Sequence, residues 1–252
     1  MFDPMAKFSF CVCAYNEEDM ILRNLMKIRE GLDSLLGPGR FEIIVVQNGS
    51  TDKTPDLLNN LEDHAIRSIH LPEKGLGLAL RAGIQQARYD YFGFLGLDLP
   101  FLFSDVTAAL EVWLEYDVVF GSKAHPASQL EIVWKRRIAS FVFRRLNRFF
   151  FNIKIRDTQG TIFMKRSRIM PFLHLCDSNN AFFTAQLAIY AQAFKLKMTE
   201  VPVTMVSENK KRRSKYNIVR DGSKMFKAMV REFFRFQKRV NHQKKMSGLE
   251  SE

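Results

Sequence analysis

Short apolar runs alternate with helical stretches four times through the first half of the chain. Phe8 to Cys13, Phe41 to Val46, Ile66 to Leu71 and Tyr91 to Leu97 are apolar runs of strand length. Between the first two, Ile21, Leu22, Leu25, Met26, Leu32, Leu35 and Leu36 recur at helical spacing until Gly37-Pro38-Gly39 stops the helix. Pro55 stands in the first turn of a second helix that reaches about Leu61, and Lys74-Gly75-Leu76-Gly77 leads into a third through Ala87. Ser104 is expected to cap a fourth helix through Glu115, and Val118 to Phe120 makes a fifth strand. Such alternation predicts an α/β fold: a Rossmann-like, doubly wound, mainly parallel sheet with helices on both faces. Sheets of this kind bind ligands beyond the carboxyl ends of their strands. The loops Ala14–Glu17, Gln47–Asp52, Lys74–Gly77, Asp98–Pro100 and Ser122-Lys123 are therefore expected along one crevice.

After residue 129 the pattern changes. Trp134, Ile138, Phe141, Val142, Leu146, Phe149 and Phe150 keep helical spacing, interleaved with Lys135, Arg136, Arg137, Arg144, Arg145 and Arg148. Ile162 to Met164 reads as a strand and Ala181 to Ala193 as a buried helix. In the segment Asn217 to Val240, Met225, Phe226, Met229, Val230 and Phe233 fall on one face. Arg220, Lys224, Lys227, Arg231, Arg235 and Lys238 fall on the other, which makes a basic amphipathic helix. The organisation expected is a first half over 1–129, a second half of the same domain over 130–216, and a C-terminal helix and tail over 217–252.

Charge follows the same division. The formal net charge is +11, yet residues 1–129 carry 11 basic and 18 acidic side chains, whereas 210–245 carry 14 basic and 2 acidic. Localised basic blocks point to an anionic partner such as a membrane surface or a phosphate, and not to a chain coated for nucleic acid. The three cysteines are too few for a disulfide scaffold and fit a reducing compartment. The longest uncharged run, Ser178 to Phe194, carries Asn179, Asn180, Thr184, Gln186 and Gln192, so it reads as a core helix and not a membrane span. The opening residues, with Asp3, Pro4 and Lys7 ahead of Asn16-Glu17-Glu18, do not read as a signal peptide. No Gly-x-x-x-x-Gly-Lys-Ser/Thr loop is present, which excludes a P-loop nucleotidase.

Six segments, in order, carry a resemblance: Cys13-Ala14-Tyr15-Asn16-Glu17-Glu18, Val45-Val46-Gln47-Asn48-Gly49-Ser50-Thr51-Asp52-Lys53-Thr54, Lys74-Gly75-Leu76-Gly77, Gly93-Phe94-Leu95-Gly96-Leu97-Asp98-Leu99, Gly121-Ser122-Lys123 and Asp157-Thr158-Gln159. Over about residues 8 to 235 the chain resembles family 2 inverting glycosyltransferases of the GT-A fold, in the dolichol- or polyprenol-phosphate mannosyl/glucosyltransferase branch. The resemblance implies transfer of a hexose from GDP-mannose- or UDP-glucose-type donors to a polyprenyl phosphate. The enzyme would sit peripherally at the cytoplasmic face of a membrane, with a small membrane-anchoring subunit as one conceivable partner and no nucleic acid.

By the same resemblance Ala14, Tyr15, Glu17, Gln47, Gly49, Ser50, Lys74 and Gly75 would hold the donor. Asp98 stands at the metal position, with Mg²⁺ or Mn²⁺ implied. The family usually has Asp-x-Asp there and this chain has Gly96-Leu97-Asp98. One carboxylate with substrate phosphates and waters can still hold a hard cation, which would stabilise the leaving diphosphate. Asp98, Asp157 and Lys123 are the implied catalytic residues. Lys123, Arg136, Arg137, Arg212, Arg213 and Lys215 are candidates for the acceptor phosphate, Lys123 as a point charge where relatives often have the fork of Arg. Asp157 reads either as a general base for a hydroxyl acceptor or as an orienter of cations for a phosphate one.

Plainer readings stand beside these. Tyr15 and Glu17 suit a helix start, Asn48-Gly49 suits a turn, Asp98 could close the loop before Pro100, and about half of the basic side chains suit a solvated face. Gln47, Asn48, Gly96, Pro100 and Gln186 depart from the family pattern. They leave a second reading open, a GT-A domain that binds or regulates without transferring.

Overall fold

The computed structural model describes residues 6–130, 134–205 and 218–246. Seven strands make one sheet: β1 (Phe8–Ala14), β2 (Phe41–Asn48), β3 (Ile66–Leu71), β4 (Tyr91–Leu95), β5 (Val118–Ser122), β6 (Thr161–Lys165) and β7 (Met198–Pro202). Their order is β3-β2-β1-β4-β6-β5-β7. The helices are α1 (Ile21–Leu36), α2 (Thr54–Asn59), α3 (Leu76–Gln86), α4 (Ser104–Val112), α5 (Trp134–Phe151), α6 (Arg166–Ile169), α7 (Phe182–Ala193) and α8 (Ile218–Met246).

Successive side chains of a strand point to opposite faces, and the two central strands use both. Phe8, Phe10 and Val12 of β1 and Ile43 and Val45 of β2 pack against Ile21, Leu25, Ile28 and Leu32 of α1, with Val106, Ala109 and Trp113 alongside. Cys11, Ile44 and Val46 point the other way, into a cluster with Ala79, Leu80 and Ile84 of α3, most of α7, and Met225 and Met229 of α8. Each large apolar side chain so buried contributes ~1.5–3 kcal/mol. Glu42 lies at the far end of the second cluster. It accepts hydrogen bonds from Ser9 Oγ at 2.6 Å, Arg67 Nε at 2.7 Å and the Arg88 N–H at 2.7 Å. Burial alone would raise its carboxyl pKa, but these donors outweigh burial and hold it below the usual carboxylate value.

The sheet is parallel except at one strand. β6 lies between β4 and β5 and runs antiparallel to both. The alternation of the first half predicts β5 as the next step after β4, so the later strand is an insertion that periodicity does not reveal. Its direction follows from where it begins: Thr161 pairs with Gly121, near the end of β5, so the chain enters β6 at the edge where the parallel strands finish. The approach there is close. A Cβ on Gly160 would lie 1.8 Å from the Gly121 carbonyl oxygen, and one on Gly121 would lie 2.3 Å from Thr161 Oγ1.

Three other details differ from the sequence reading. β7 was not expected: Met198-Thr199-Glu200-Val201-Pro202 has little apolar pattern, and its proline is tolerated because this strand is the sheet edge. Ser104 opens α4 without capping it; its hydroxyl instead receives the Thr204 N–H at 3.0 Å. α8 runs to Met246, and its apolar residues divide. Met225, Ala228 and Met229 are buried, whereas Phe226, Phe233 and Phe234 are exposed. Phe233 leans on α5, with its ring 5.1 Å from that of Phe150.

A polar network fastens α8 to the buried α7. Glu232, 2 % exposed, accepts from Gln186 Nε2 at 2.8 Å, from Arg239 Nη1 at 3.3 Å and from the Tyr190 hydroxyl. The same Gln186 nitrogen reaches Asp177 Oδ1 at 3.2 Å, its oxygen accepts from the Ser178 N–H at 2.8 Å, and Arg239 Nη2 donates to Asp177 at 2.7 Å. An amide at 186 is what two flanking carboxylates require, since it supplies a donor where an acid would add a third negative charge. Burial, then the Glu232 acceptor, push the Tyr190 hydroxyl far above its ordinary pKa, so it stays a donor.

Two outcomes follow for stability. Gly160→Ala should destabilise by ~1–3 kcal/mol through overpacking against backbone. Gly222→Ala, in α8 with nothing within 4 Å of the added methyl, should stabilise by ~0.5–1 kcal/mol; urea titration of both variants measures the contrast. Gln186→Glu should cost ~1–3 kcal/mol at neutral pH by losing a buried donor among carboxylates. Its deficit relative to the parent chain should narrow as the pH is lowered until the new carboxyl takes up a proton, and chemical unfolding across pH reads this directly.

Candidate functional site

The loops after β1 and β2 are built as one unit. Asn16 takes φ 53° after the end of β1, and its N–H donates to Ser50 Oγ at 3.0 Å. The Thr51 N–H donates to Asn16 Oδ1 at 2.8 Å, and the Glu17 N–H to Thr54 Oγ1 at 2.8 Å. Asp52 accepts from the N–H groups of Glu18 at 3.1 Å and Thr54 at 3.0 Å. Burial would raise the Asp52 carboxyl pKa, but the hydrogen bonds, those with Thr54 foremost, lower it overall. The Ser50-Thr51-Asp52-Lys53-Thr54 stretch thus latches the first loop, and Ser50 spends its hydroxyl on that task. Gly49 is required twice: its φ is +70°, and a Cβ would lie 2.8 Å from the Lys74 nitrogen.

This latch leaves Tyr15 and Glu17 on the wall of a cavity of about 780 Å³, together with Cys13, Asn48, Lys74, Gly75 and Leu76. The N–H groups of Met20 and Ile21 donate to the Glu17 carbonyl at 3.0 and 2.9 Å, so the Glu17 backbone serves the start of α1 while the residue lines the cavity. The Lys74 ammonium lies 3.5 Å from the centre of the Tyr15 ring. Gln47 is buried, with its oxygen 3.4 Å from the Ser50 nitrogen, while its neighbour Asn48 faces the cavity. A hydrogen bond with Cys11, then burial, hold the Cys13 thiol well above its usual pKa, so it is wall and not nucleophile.

The far side of the cavity comes from distant sequence: Asn179, Asn180 and Ala181 before α7, and Asp221, Lys224, Met225, Lys227, Ala228 and Arg231 of α8. Sequence reasoning placed none of these in a donor site, because α8 meets the strand ends only through packing on α7. The glycines of Lys74-Gly75-Leu76-Gly77 explain the approach. A Cβ on Gly77 would lie 2.0 Å from the Ser178 carbonyl oxygen, and one on Gly75 would lie 2.5 Å from that of Asn179.

A second cavity, of about 350 Å³, is lined by Lys123, Ala124, His125, Ser128, Leu130, Ser140, Arg144 and Asp157. Asp157 is buried, and both its oxygens are engaged. Oδ2 lies 3.1 Å from Lys123 Nζ and 3.0 Å from the Lys123 nitrogen, and Oδ1 accepts the Gln159 N–H at 3.0 Å. Lys123 Nζ also donates to the Gln159 carbonyl at 3.0 Å. An ammonium has three N–H groups, so one remains for an anion in the cavity. A carboxylate so occupied orients Lys123 in this structure. Ser140 and Arg144, which the sequence did not single out, join this wall from α5. The signal for them was the arginine interleaving of that helix.

Asp98 follows β4 in a constrained loop: Leu99, Leu102 and Phe103 have φ of 44°, 41° and 66°. Asn24 Nδ2 holds the loop by donating to the Leu97 carbonyl at 3.0 Å. A Cβ on Gly96 would lie 2.9 Å from Asp98 Oδ1, so a side chain there would shift the Asp98 carboxylate. Asp98 lines neither of these two cavities; the Ala14–Glu17 and Lys74–Gly77 loops border the first and Lys123 the second. Among the described residues no three His, Cys, Asp or Glu side chains converge. With a single carboxylate in the 96–98 loop, a divalent cation there would be carried mainly by substrate phosphates and water. The side chains of Arg136 and Arg137, and residues Arg212, Arg213 and Lys215, lie outside the described part.

The chain is 28 % identical over 214 residues to glycosyltransferase AglD of Haloferax volcanii, covering 82 % of this chain and 34 % of that protein. It is 26 % identical over 249 residues to dolichyl-phosphate beta-glucosyltransferase of Saccharomyces cerevisiae, covering 88 % of this chain and 72 % of that one. The chain thus spans about a third of the first relative's length and under three quarters of the second's. Its fold is like that of glucosyl-3-phosphoglycerate synthase from Mycobacterium tuberculosis in complex with UDP, at 17 % identity and TM-score 0.57 over 94 % of this chain and 80 % of that one. It is also like that of a Pyrobaculum calidifontis mannosyltransferase in complex with GDP-Man and Mn²⁺, at 18 % identity and TM-score 0.55 over 92 % and 66 %. The fold is GT-A. The model of glycosyl transferase family 2 matches residues 9–170, well over half of the sequence, and the chain belongs to that family.

Proposed function

We propose that this chain is an inverting transferase that moves a hexose from a nucleotide sugar of the UDP-glucose or GDP-mannose type to a polyprenyl phosphate at the cytoplasmic face of a membrane. The observation that carries the reading is the Lys123–Asp157 pair: a fixed ammonium with one free N–H, in a cavity beside the carboxyl ends of the strands. A lipid phosphate is already anionic, so it needs a cationic clamp and not a base. The dolichyl-phosphate substrate in the name of the yeast relative supports the same acceptor class.

In this reading residues 1–129 serve the donor and 130–216 the acceptor. Tyr15, Glu17, Asn48, Lys74 and Gly75 bind the donor nucleotide, on the latch made by Ala14, Gln47, Gly49 and Ser50. Lys123, Ser140 and Arg144 hold the acceptor phosphate, with Arg136, Arg137, Arg213 and Lys215 as further cations. One acceptor oxygen bonds to the anomeric carbon from the face opposite the diphosphate, and the carbon–oxygen bond to the diphosphate breaks, which inverts the centre. Asp98 would hold Mg²⁺ or Mn²⁺, and the cation, when bound, would supply charge to the leaving diphosphate.

The membrane part of the reading rests on an aromatic surface. Phe149 is 82 % and Phe234 78 % exposed, and Phe150 and Phe233 join them into one patch with neighbouring centroids 5.1–5.5 Å apart. Arg145, Arg148 and Arg235 stand on the same two helices. Rings with nearby cations suit an anionic lipid surface. No helix of the described residues is long and apolar enough to cross a membrane.

The test is transfer from labelled UDP-glucose and GDP-mannose to short polyprenyl phosphates with Mg²⁺ or Mn²⁺. Lys123→Ala should lower kcat/KM for the lipid phosphate by ~10–100-fold, the worth of one charge-assisted hydrogen bond at ~1.5–3 kcal/mol. No transfer from any sugar would leave the binding-only reading, which the single acid at residues 96–98 favours. In sedimentation with phosphatidylserine vesicles, Phe149→Ser with Phe234→Ser should release most of the bound protein, and full retention would remove the aromatic patch from the account.

A further inference from the structure

The donor cavity contains a charge pattern that no family motif of this chain supplies. Its wall holds four cations, Lys74, Lys224, Lys227 and Arg231, against two carboxylates, Glu17 and Asp221. Three of the cations come from consecutive turns of α8. None of those three is in an ion pair among the described residues, and all three are exposed to solvent. Asp221 lies 3.3 Å from Arg220 Nε, so part of its charge is already balanced. The volume of about 780 Å³ lies in the range that takes a whole nucleotide-sized ligand. The segment 96–98 carries one carboxylate, Asp98, which does not line this cavity.

We infer that Lys224, Lys227 and Arg231 of α8, with Lys74, bind the diphosphate of the donor directly, so that nucleoside diphosphate binding does not depend on a divalent cation. The inference rests on the donor reading of this cavity and adds to it the residues and the charge balance. The physical ground is additive. The surplus of two positive charges on the wall matches a diphosphate with one ionised oxygen on each phosphate. Cations that line a cleft with apolar walls act on a bound anion through less screening than on an open surface. Arg231 brings a planar fork that can grip a phosphate through two N–H groups, while the lysines act as point charges. Asn48, Asn179 and Asn180 on the same wall leave amides for the base and ribose.

The experiment is calorimetric titration of the full chain with UDP and with GDP, each in EDTA and in Mn²⁺. The nucleotide that binds should do so in EDTA within about threefold of its Kd in Mn²⁺. Lys227→Gln with Arg231→Gln should raise the Kd in EDTA by about tenfold or more, as expected for losing charge-assisted contacts. Lys238→Gln, an equal kind of charge loss on α8 outside the cavity wall, should leave it unchanged. These positions are exposed, so the variants should fold, and circular dichroism melts check that they do. Binding that requires Mn²⁺ and vanishes in EDTA would overturn the inference. A Kd that ignores the α8 substitutions, or that moves equally with Lys238→Gln, would overturn it too. If sugar transfer is present while EDTA abolishes nucleotide binding, this inference fails and the transferase reading stands. If neither nucleotide binds under any condition, both fail.

Discussion

The close approach of Gly160 to the Gly121 carbonyl sets the geometry on which the Lys123–Asp157 pair and its cavity depend. Only a residue without a Cβ lets β6 begin beside the end of β5, at the edge where the parallel strands finish. Because β6 then runs backwards, the segment that precedes it, Arg156 to Gly160, arrives among loops that follow the other strands. Asp157 meets Lys123 for that reason alone. In an all-parallel sheet the two residues would sit at opposite ends, and neither the ion pair nor the second cavity would exist.

A second dependency runs through the helices on one face. Gly77 lets α3 start against the Ser178–Asn180 loop, α7 packs buried on all sides behind it, and α8 is fastened to α7 by the Glu232, Tyr190, Gln186, Asp177 and Arg239 network. Charges buried in such a network are costly unless each is satisfied, and here Glu232 accepts from Gln186, Tyr190 and Arg239, and Asp177 from Gln186 and Arg239. The consequence is positional. α8 is held so that one flank lines the first cavity while another shows Phe226, Phe233 and Phe234 to the outside. A helix that looks from its composition like a simple membrane-binding amphipath is also a wall of the site.

Gln186 and Gly96 illustrate how a departure from a family pattern can have a local cause. Gln186 sits between two carboxylates and is the donor they share, so an acid there would meet like charge in a buried place. Gly96 lies under the Asp98 carboxylate, so any side chain there would displace it. Gly96 leaves one carboxylate in the 96–98 loop, whereas the Gln186 amide belongs to the contact between α7 and α8.

Much was legible in the residues themselves. Apolar runs separated by helical spacing are properties of local sequence, and they identified β1 to β6, the major helices and the loop positions of Tyr15, Glu17, Lys74, Asp98, Lys123 and Asp157. Glycines and prolines at Gly37-Pro38-Gly39 and Pro55 marked boundaries because backbone sterics act within a few residues. The polar edge strand β7, the backward run of β6, the division of the apolar face of α8 and the arrival of Lys224, Lys227 and Arg231 at the donor cavity belong to the tertiary structure alone. Each depends on contacts between residues far apart in sequence, and such contacts leave no periodic trace along the chain. The sequence determined which groups were available for chemistry; packing decided which of them share a cavity, because burial and close approach are settled between elements and not within them.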